Sequence, residues 1–421
     1  MSSTPCVLLL GTCDTKLEEL LFLRDEIRRN NASVILMDVG RSNTEHESID
    51  ISQRLLLIDF GHSKDVSSLP RGEVIKTMAG CATAAVQELF DENEIQGIIN
   101  AGGSGGTSLA AEVMRTALPI GFPKLLVSTV ASGDTGPIVG ETDISMMYSV
   151  VDVAGLNQVL RIILSNAGAA IAGMSRAFLF REEQDREGAK EGGKKSVGIT
   201  MFGVTTPAVD TIRKYLEAEY EIETFVFHAT GHGGRAMERL IEEGALDAVL
   251  DLTTTEICDH VTGGVMSAGE HRLEAAACAG IPNIISVGAT DMTNFGPIAT
   301  VPERYKARRL YEHNPVVTLM RTSLPEAQQV GSFVAEKLKK FAKHKEMVEV
   351  WLPKGGVSMI STPGAPFEDK EADQKMFGVI REGLEGSGID VVEREEAVND
   401  KEFAIGIAEA LVRKMGLGKG D

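Results

Sequence analysis

The sequence predicts an α/β protein: two doubly wound Rossmann-like domains with mostly parallel sheets. Three observations predict it. Short apolar runs alternate with stretches of helical periodicity, the pattern of βαβ units. One charged, glycine-rich segment at 182–195 interrupts that rhythm, and beyond it the same order of strand, glycine and helix begins again. The length, 421 residues, also exceeds what one ordinary core holds at roughly 150 residues per domain.

The elements follow in order. Cys6-Val7-Leu8-Leu9-Leu10 is a short apolar run ending at Gly11, as a strand buried on both faces would be. Leu17, Leu20, Leu21, Leu23 and Ile27 have helical spacing, and Ser33 to Met37 reads as a second strand. A less regular insert covers about 40–72, and a helix is expected over 74–92. Strand Ile98-Ile99 opens onto Gly102-Gly103-Ser104-Gly105-Gly106-Thr107, which leads into a helix through Leu109, Val113 and Leu118. Lys124 to Ser128 is a further strand entering a polar loop. The Ala/Gly-rich stretch 167–173 reads as a closely packed helix.

Residues 182–195 carry many charges, three glycines and no large apolar side chain, so they read as a linker between domains 1–181 and 196–421. Ser196 to Gly203 then mirrors the opening strand and its glycine. Strands at Glu223–Phe227, Ala248–Asp251 and Asn283–Ser286 follow, and βα elements around 347–352 and 389–392 complete the second half.

Composition narrows the function. Hydrophobic residues make up 43% and charged residues 24%, a globular balance. The formal charge of −19 repels polyanions, so nucleic acid is not an expected partner. The cysteines (Cys6, Cys13, Cys81, Cys258, Cys278) are odd in number and never spaced as CxxC, which fits a reducing, cytoplasmic setting. No basic n-region opens the chain and no uninterrupted apolar run has the length of a span, so no membrane association is expected.

Ligands of open parallel sheets sit beyond the carboxyl ends of the strands. The glycine loop occupies that place, with Gly102, Gly103, Gly105 and Gly106 letting amides approach an anion and Ser104 and Thr107 adding hydroxyls. Its pattern is neither GxxxxGK[ST] nor GxGxxG, so by itself it says phosphate or carboxylate; the plain alternative is a tight structural turn. Two further loops are expected at the same crevice. One carries Thr12, Asp14 and Lys16, with Asp14 or Thr15 as a helix cap and Lys16 reaching an anion. The other carries Ser132, Gly133, Asp134 and Thr135, where Asp134 or Asp143 would hold Mg²⁺ through water.

The second half offers a different polar set: Asp251, Glu256, Asp291, Asn294, His313 and Arg321. It reads either as a second ligand site or as capping and internal hydrogen bonding. His228 and His232 have a zinc-like spacing, but the surrounding glycines make a regular helix doubtful there. Cys13 reads as an apolar filler.

Four segments together carry a family resemblance: Leu10 to Lys16, Gly102 to Thr107, Asp291-Met292-Thr293-Asn294-Phe295-Gly296, and His313 to Thr322. In that order, and over nearly the whole chain, they resemble the ATP-binding domain family typified by the tomato mosaic virus resistance protein. The resemblance implies two Rossmann-like domains, Mg-ATP binding and a homodimer. Cys13 stands where relatives usually carry a leucine-like residue, and Thr293 where valine is common. The plant protein continues into a barrel-like domain beyond the position of Asp421, so an activity needing it would come from a separate barrel-domain polypeptide. Three functions stay open: a nucleotide-binding protein using ATP and Mg²⁺, an enzyme for a small phosphorylated or carboxylated metabolite at the interdomain cleft, and a nucleotide-stabilised scaffold for protein partners.

Overall fold

The computed structural model describes residues 4–187 and 193–418, and the chain divides into two compact units, Met1–Glu191 and Gly192–Asp421. The first contains β1 (Cys6–Gly11), α1 (Cys13–Arg29), β2 (Ser33–Asp38), α2 (Gln53–Asp59), α3 (Arg71–Asp91), β3 (Gly97–Gly102), α4 (Ser104–Ala117), β4 (Lys124–Ser128), α5 (Gly136–Val139), β5 (Ser145–Tyr148) and α6 (Gln158–Glu187). Its sheet is parallel throughout, in the order β2-β1-β3-β4-β5. Leu8 and Leu10 of β1 face a core with α3 and α4, while Val7 and Leu9 face one with α1 and α6. Apolar cover on both faces is why that strand is a continuous apolar run rather than an alternating one.

Residues 182–187, expected to lie in a linker, are instead the last turns of α6, and Lys195 already opens the next strand. The expected linker residues 188–192 lie outside the described residues. Charged side chains suit a helix as well as a loop, so composition alone did not show that α6 runs into this segment; the division between the two units, at 191/192, falls inside it. The small residues of α6 have a packing cause. A Cβ at Gly168 would stand 2.9 Å from Cβ of Glu26 and 3.1 Å from the backbone nitrogen of Ile27, so glycine lets α6 lie directly on α1. Over Gln158–Gln184 this helix is long and apolar enough to cross a membrane by length and composition. Here its inner face, Leu160, Leu164, Ala167 and Ile171, is fully buried on the sheet.

The second unit contains β6 (Lys195–Met201), α7 (Thr206–Glu219), β7 (Ile222–His228), α8 (His232–Glu242), β8 (Ala248–Thr253), α9 (Thr255–Thr262), α10 (Ala275–Ala279), β9 (Asn283–Gly288), β10 (Met292–Phe295), β11 (Leu310–Asn314), β12 (Val317–Arg321), α11 (Leu324–Phe341), β13 (Val348–Pro353), α12 (Lys370–Leu384), β14 (Asp390–Arg394) and α13 (Lys401–Met415). Its main sheet is parallel, in the order β14-β13-β9-β8-β6-β7. A separate antiparallel sheet, β10-β12-β11, interrupts the βα rhythm after β9. In both units the first strand lies between the second and the third, which places a topological switch point between β1 and β3 and another between β6 and β8.

Candidate functional site

At the switch point of the first unit the loops after β1 and β3 border a cavity of about 770 Å³. The glycine loop supplies Gly103, Ser104, Gly105 and Gly106, which begin α4. No side chain caps this helix. Thr107 N–H is the first to bond back, to Gly103 O at 2.9 Å, leaving the amides before it without a helical acceptor. Neither Gly105 nor Gly106 has a positive φ. What these glycines spare a ligand is a side chain, and nothing lies within 4 Å of the place a Cβ at Gly106 would take.

Thr12, Asp14 and Lys16 reach the same cavity. Lys16 leaves helical geometry at φ −139° and donates to the carbonyl of Val153. Asp14 does not cap α1. Its Oδ2 accepts the amides of Arg41 (3.0 Å) and Ser42 (3.1 Å), which ties the insert after β2 to the site. The opposite wall comes from the segment after β5. There Val150 sits at φ 61°, a left-handed conformation that a β-branched residue rarely adopts. Such strain persists where surrounding structure enforces it and clusters at binding sites.

Several expected ligands are elsewhere. Gly102 and Thr107 are buried and absent from the lining; the Thr107 hydroxyl pairs with Ser128 Oγ at 2.7 Å, holding β3's loop to β4. Ser132, Gly133, Asp134 and Thr135 do not line the cavity either, and Asp134 closes its own turn on Gly136 N–H at 3.1 Å. Because β4 lies one strand away from the switch point, its loop leads past the crevice, and Thr129 alone of that loop reaches it. Asp143 does not line the cavity either: it pairs with the buried ammonium of Lys124 at 2.7 Å and accepts Gly121 N–H. Cys13 is buried, and burial followed by the Asp38 carboxylate pushes its thiol up, against a nucleophilic role.

The sequence reading missed Arg41 and Arg71, both on the cavity wall. A signal existed for Arg71. A Pro-Arg start to a helix puts a cation at a positive helix end, an unusual choice in a strongly acidic chain. Asp38, at the end of β2, lies behind these loops and does not line the cavity. Asp38 is raised by burial against the amides of Gly40 and Cys13, and its Oδ2 has no partner.

In the second unit the polar set is internal. Arg272, only 1% exposed, bonds Asp251 through both terminal nitrogens (2.6 and 2.7 Å), Glu256 through Nε (2.8 Å) and Glu238 (3.0 Å). Glu256 also accepts the amides of Gly231 (2.6 Å) and Gly234 (3.0 Å) at the start of α8. That explains Gly234, where a Cβ would lie 2.0 Å from Glu256 Oε2. Asn294 bonds Asp259, Arg321 pairs with Asp373 at 2.5 Å, and Asp291 accepts the Ser358 hydroxyl at 2.8 Å. His313 stands apart, exposed on β11. His228 stacks on Phe202 and His232 meets Arg235, and among the described residues no group of three or more His, Cys, Asp or Glu could hold a metal ion. Asp251 and Glu256 of the expected second site are therefore committed to the buried Arg272, and Asp291 to Ser358.

Fold and site together define a two-domain α/β protein whose N-terminal domain has an open, cation-lined crevice at its switch point. The chain belongs to the uncharacterised protein family UPF0261: the model of the family's N-terminal domain matches residues 5–179 and that of its C-terminal domain 194–415. It is 44% identical to a UPF0261 protein of Clostridium tetani, over 97% of this chain and 98% of that one. It is 40% identical to the ToMV resistance protein Tm-1(GCR237) of Solanum lycopersicum, over 98% of this chain but 56% of that longer protein. Among solved structures, a UDP-N-acetylglucosamine 2-epimerase from Rickettsia bellii aligns with TM-score 0.23 and 11% identity, over 54% of this chain and 62% of that one.

Proposed function

We propose that the N-terminal domain binds a nucleotide, Mg-ATP foremost, in the crevice between the loops after β1 and β3. The observation that carries this reading is a contrast between two helix starts. In the second unit the start of α8 is filled by the chain's own Glu256 carboxylate. The start of α4 has no such internal anion, yet it borders a cavity with Lys16, Arg41 and Arg71 on its walls. Free amides and a helix dipole converging on an open space favour a phosphate there. Val74, Ile75 and Leu109 offer an apolar face suited to a base. Magnesium fits as an ion carried on the phosphates and their water, and Asp152, an exposed carboxylate on the cavity wall, would help to hold it; its charge would offset phosphate repulsion.

Calorimetry with Mg-ATP tests the reading. The native protein binds; Gly106→Val, which fits the fold because the space beside it is open, loses at least tenfold in affinity. Ser104→Ala loses only about 0.5–1.5 kcal/mol, the worth of one hydrogen bond. Asp134→Asn binds as the native protein does. Unchanged affinity in folded Gly106→Val would move the ligand to another place.

A further inference from the structure

We infer that Arg71 is the specificity-determining residue of this cavity, taking the outer phosphoryl groups of its ligand and so selecting nucleoside polyphosphates over monophosphates. The inference rests on reading the cavity as a nucleotide site.

Arg71 is the first residue of α3 and is exposed at the cavity wall. Its guanidinium lies over the first turn of α4: Nη2 is 2.9 Å from the position a Cβ at Gly105 would occupy. Glycine at 105 thus leaves the guanidinium beside the free amides. Among the described residues it makes no ion pair, unlike Arg272, Arg308, Arg321 and Arg394, each held by a carboxylate. It also stands at the positive ends of two helices, its own and α4, where a cation is repelled unless an anion intervenes.

The neighbouring cations are committed differently. Arg41 donates to the carbonyls of Ser67 and Leu69, and Lys16 to that of Val153, so both are fixed in place. Arg71 alone of the three keeps its planar fork of donors uncommitted, the geometry that grips phosphate oxygens two at a time. Three side-chain cations and two helix ends together outweigh the wall carboxylates Asp14 and Asp152 and leave the cavity favourable to an anion.

The test is calorimetry of the full chain with ATP, AMP and inorganic tripolyphosphate, for native protein, Arg71→Gln and Arg71→Lys. Because the side chain is exposed and unpaired, all should share one melting temperature. The expected result is a preference of native protein for ATP over AMP. Arg71→Gln should lower ATP and tripolyphosphate affinity at least tenfold and AMP affinity less than threefold, with Arg71→Lys between. If native protein binds ATP but Arg71→Gln weakens ATP and AMP equally, or neither, the role of Arg71 is overturned and the nucleotide reading stands. If native protein binds tripolyphosphate but neither nucleotide, and Arg71→Gln abolishes that binding, the clamp stands and the nucleotide reading fails. Binding of none of the three overturns both.

Discussion

At the scale of single residues, the second unit shows how much charge a core can hold when every group has a partner. Arg272 would lose its proton more easily by burial alone, but Asp251, Glu256 and Glu238 outweigh that and hold it well above its ordinary range. Breaking a buried pair by removing one member costs about 3–5 kcal/mol, because the others are left uncompensated. Asp291 is the counter-example. It is fully buried, its Oδ1 has no partner, and burial pushes it from 3.8 up to about 7 although Arg321 pulls the other way. A carboxyl raised in the folded state binds more protons folded than unfolded. Its stabilisation is therefore complete below 3.8 and is lost as pH rises through about 7. Asp291→Asn, neutral at every pH, should accordingly gain stability relative to the native protein as pH rises from about 4 to about 7, by at most about 1.4 kcal/mol per pH unit, and hold that gain above it. Denaturant melts of the two proteins at several pH values measure this. Parallel curves across that range would show that Asp291 is ionised in the fold.

At the scale of elements, strands that meet apolar cover on both faces were legible and mixed ones were not. β1, β3 and β4 stand out as short apolar runs because helices bury them from above and below. β5 (SMMY) and β11 (LYEHN) are partly or wholly exposed, so hydrophobicity carries no trace of them. The glycine loop was legible because helix start, strand end and glycine coincide in sequence. Its partners across the cavity were not, since Arg71 and Val150 arrive through long-range folding. The Arg272 network was invisible for the same reason: its carboxylates come from α8, β8 and α9. The first turn of α4 now makes a sharp prediction. Gly106 has ordinary helical geometry and open space beside it, so alanine there should stabilise the ligand-free protein by about 0.5–1 kcal/mol through helix propensity. The same methyl lies on the cavity wall, so Mg-ATP affinity should fall. Thermal melts and calorimetry of Gly106→Ala read the two signs separately. Higher stability with unchanged affinity would mean that glycine is not kept there for a ligand.

At the scale of the whole molecule, the duplicated topology was legible because chain order alone encodes it, whereas the divergence of the two switch points was not. Beside β6 the second crevice is closed by the chain itself: Val204, Ala289 and Phe367 share one small core, and Met359 N–H bonds Val204 O. Only tertiary structure tells a filled crevice from an open one. Assembly beyond the single chain is a proposal of the same scale: we propose a homodimer through the outer face of α6. Val159 (44% exposed), Ile162 (56%) and Phe180 (57%) lie on that face, and Ala169 and Gly173 between them are exposed and small enough to let a second helix approach closely. A two-fold contact brings the same face of each copy together, so one stripe suffices for both partners. Light scattering during gel filtration should give about twice the chain mass of 45.1 kDa. Ile162→Glu would place a charge on each side of that contact without touching the inner face that holds α6 to its sheet. It should therefore shift the protein to monomer while leaving its melting cooperative, and a native protein that runs as a monomer at micromolar concentration would rule the contact out.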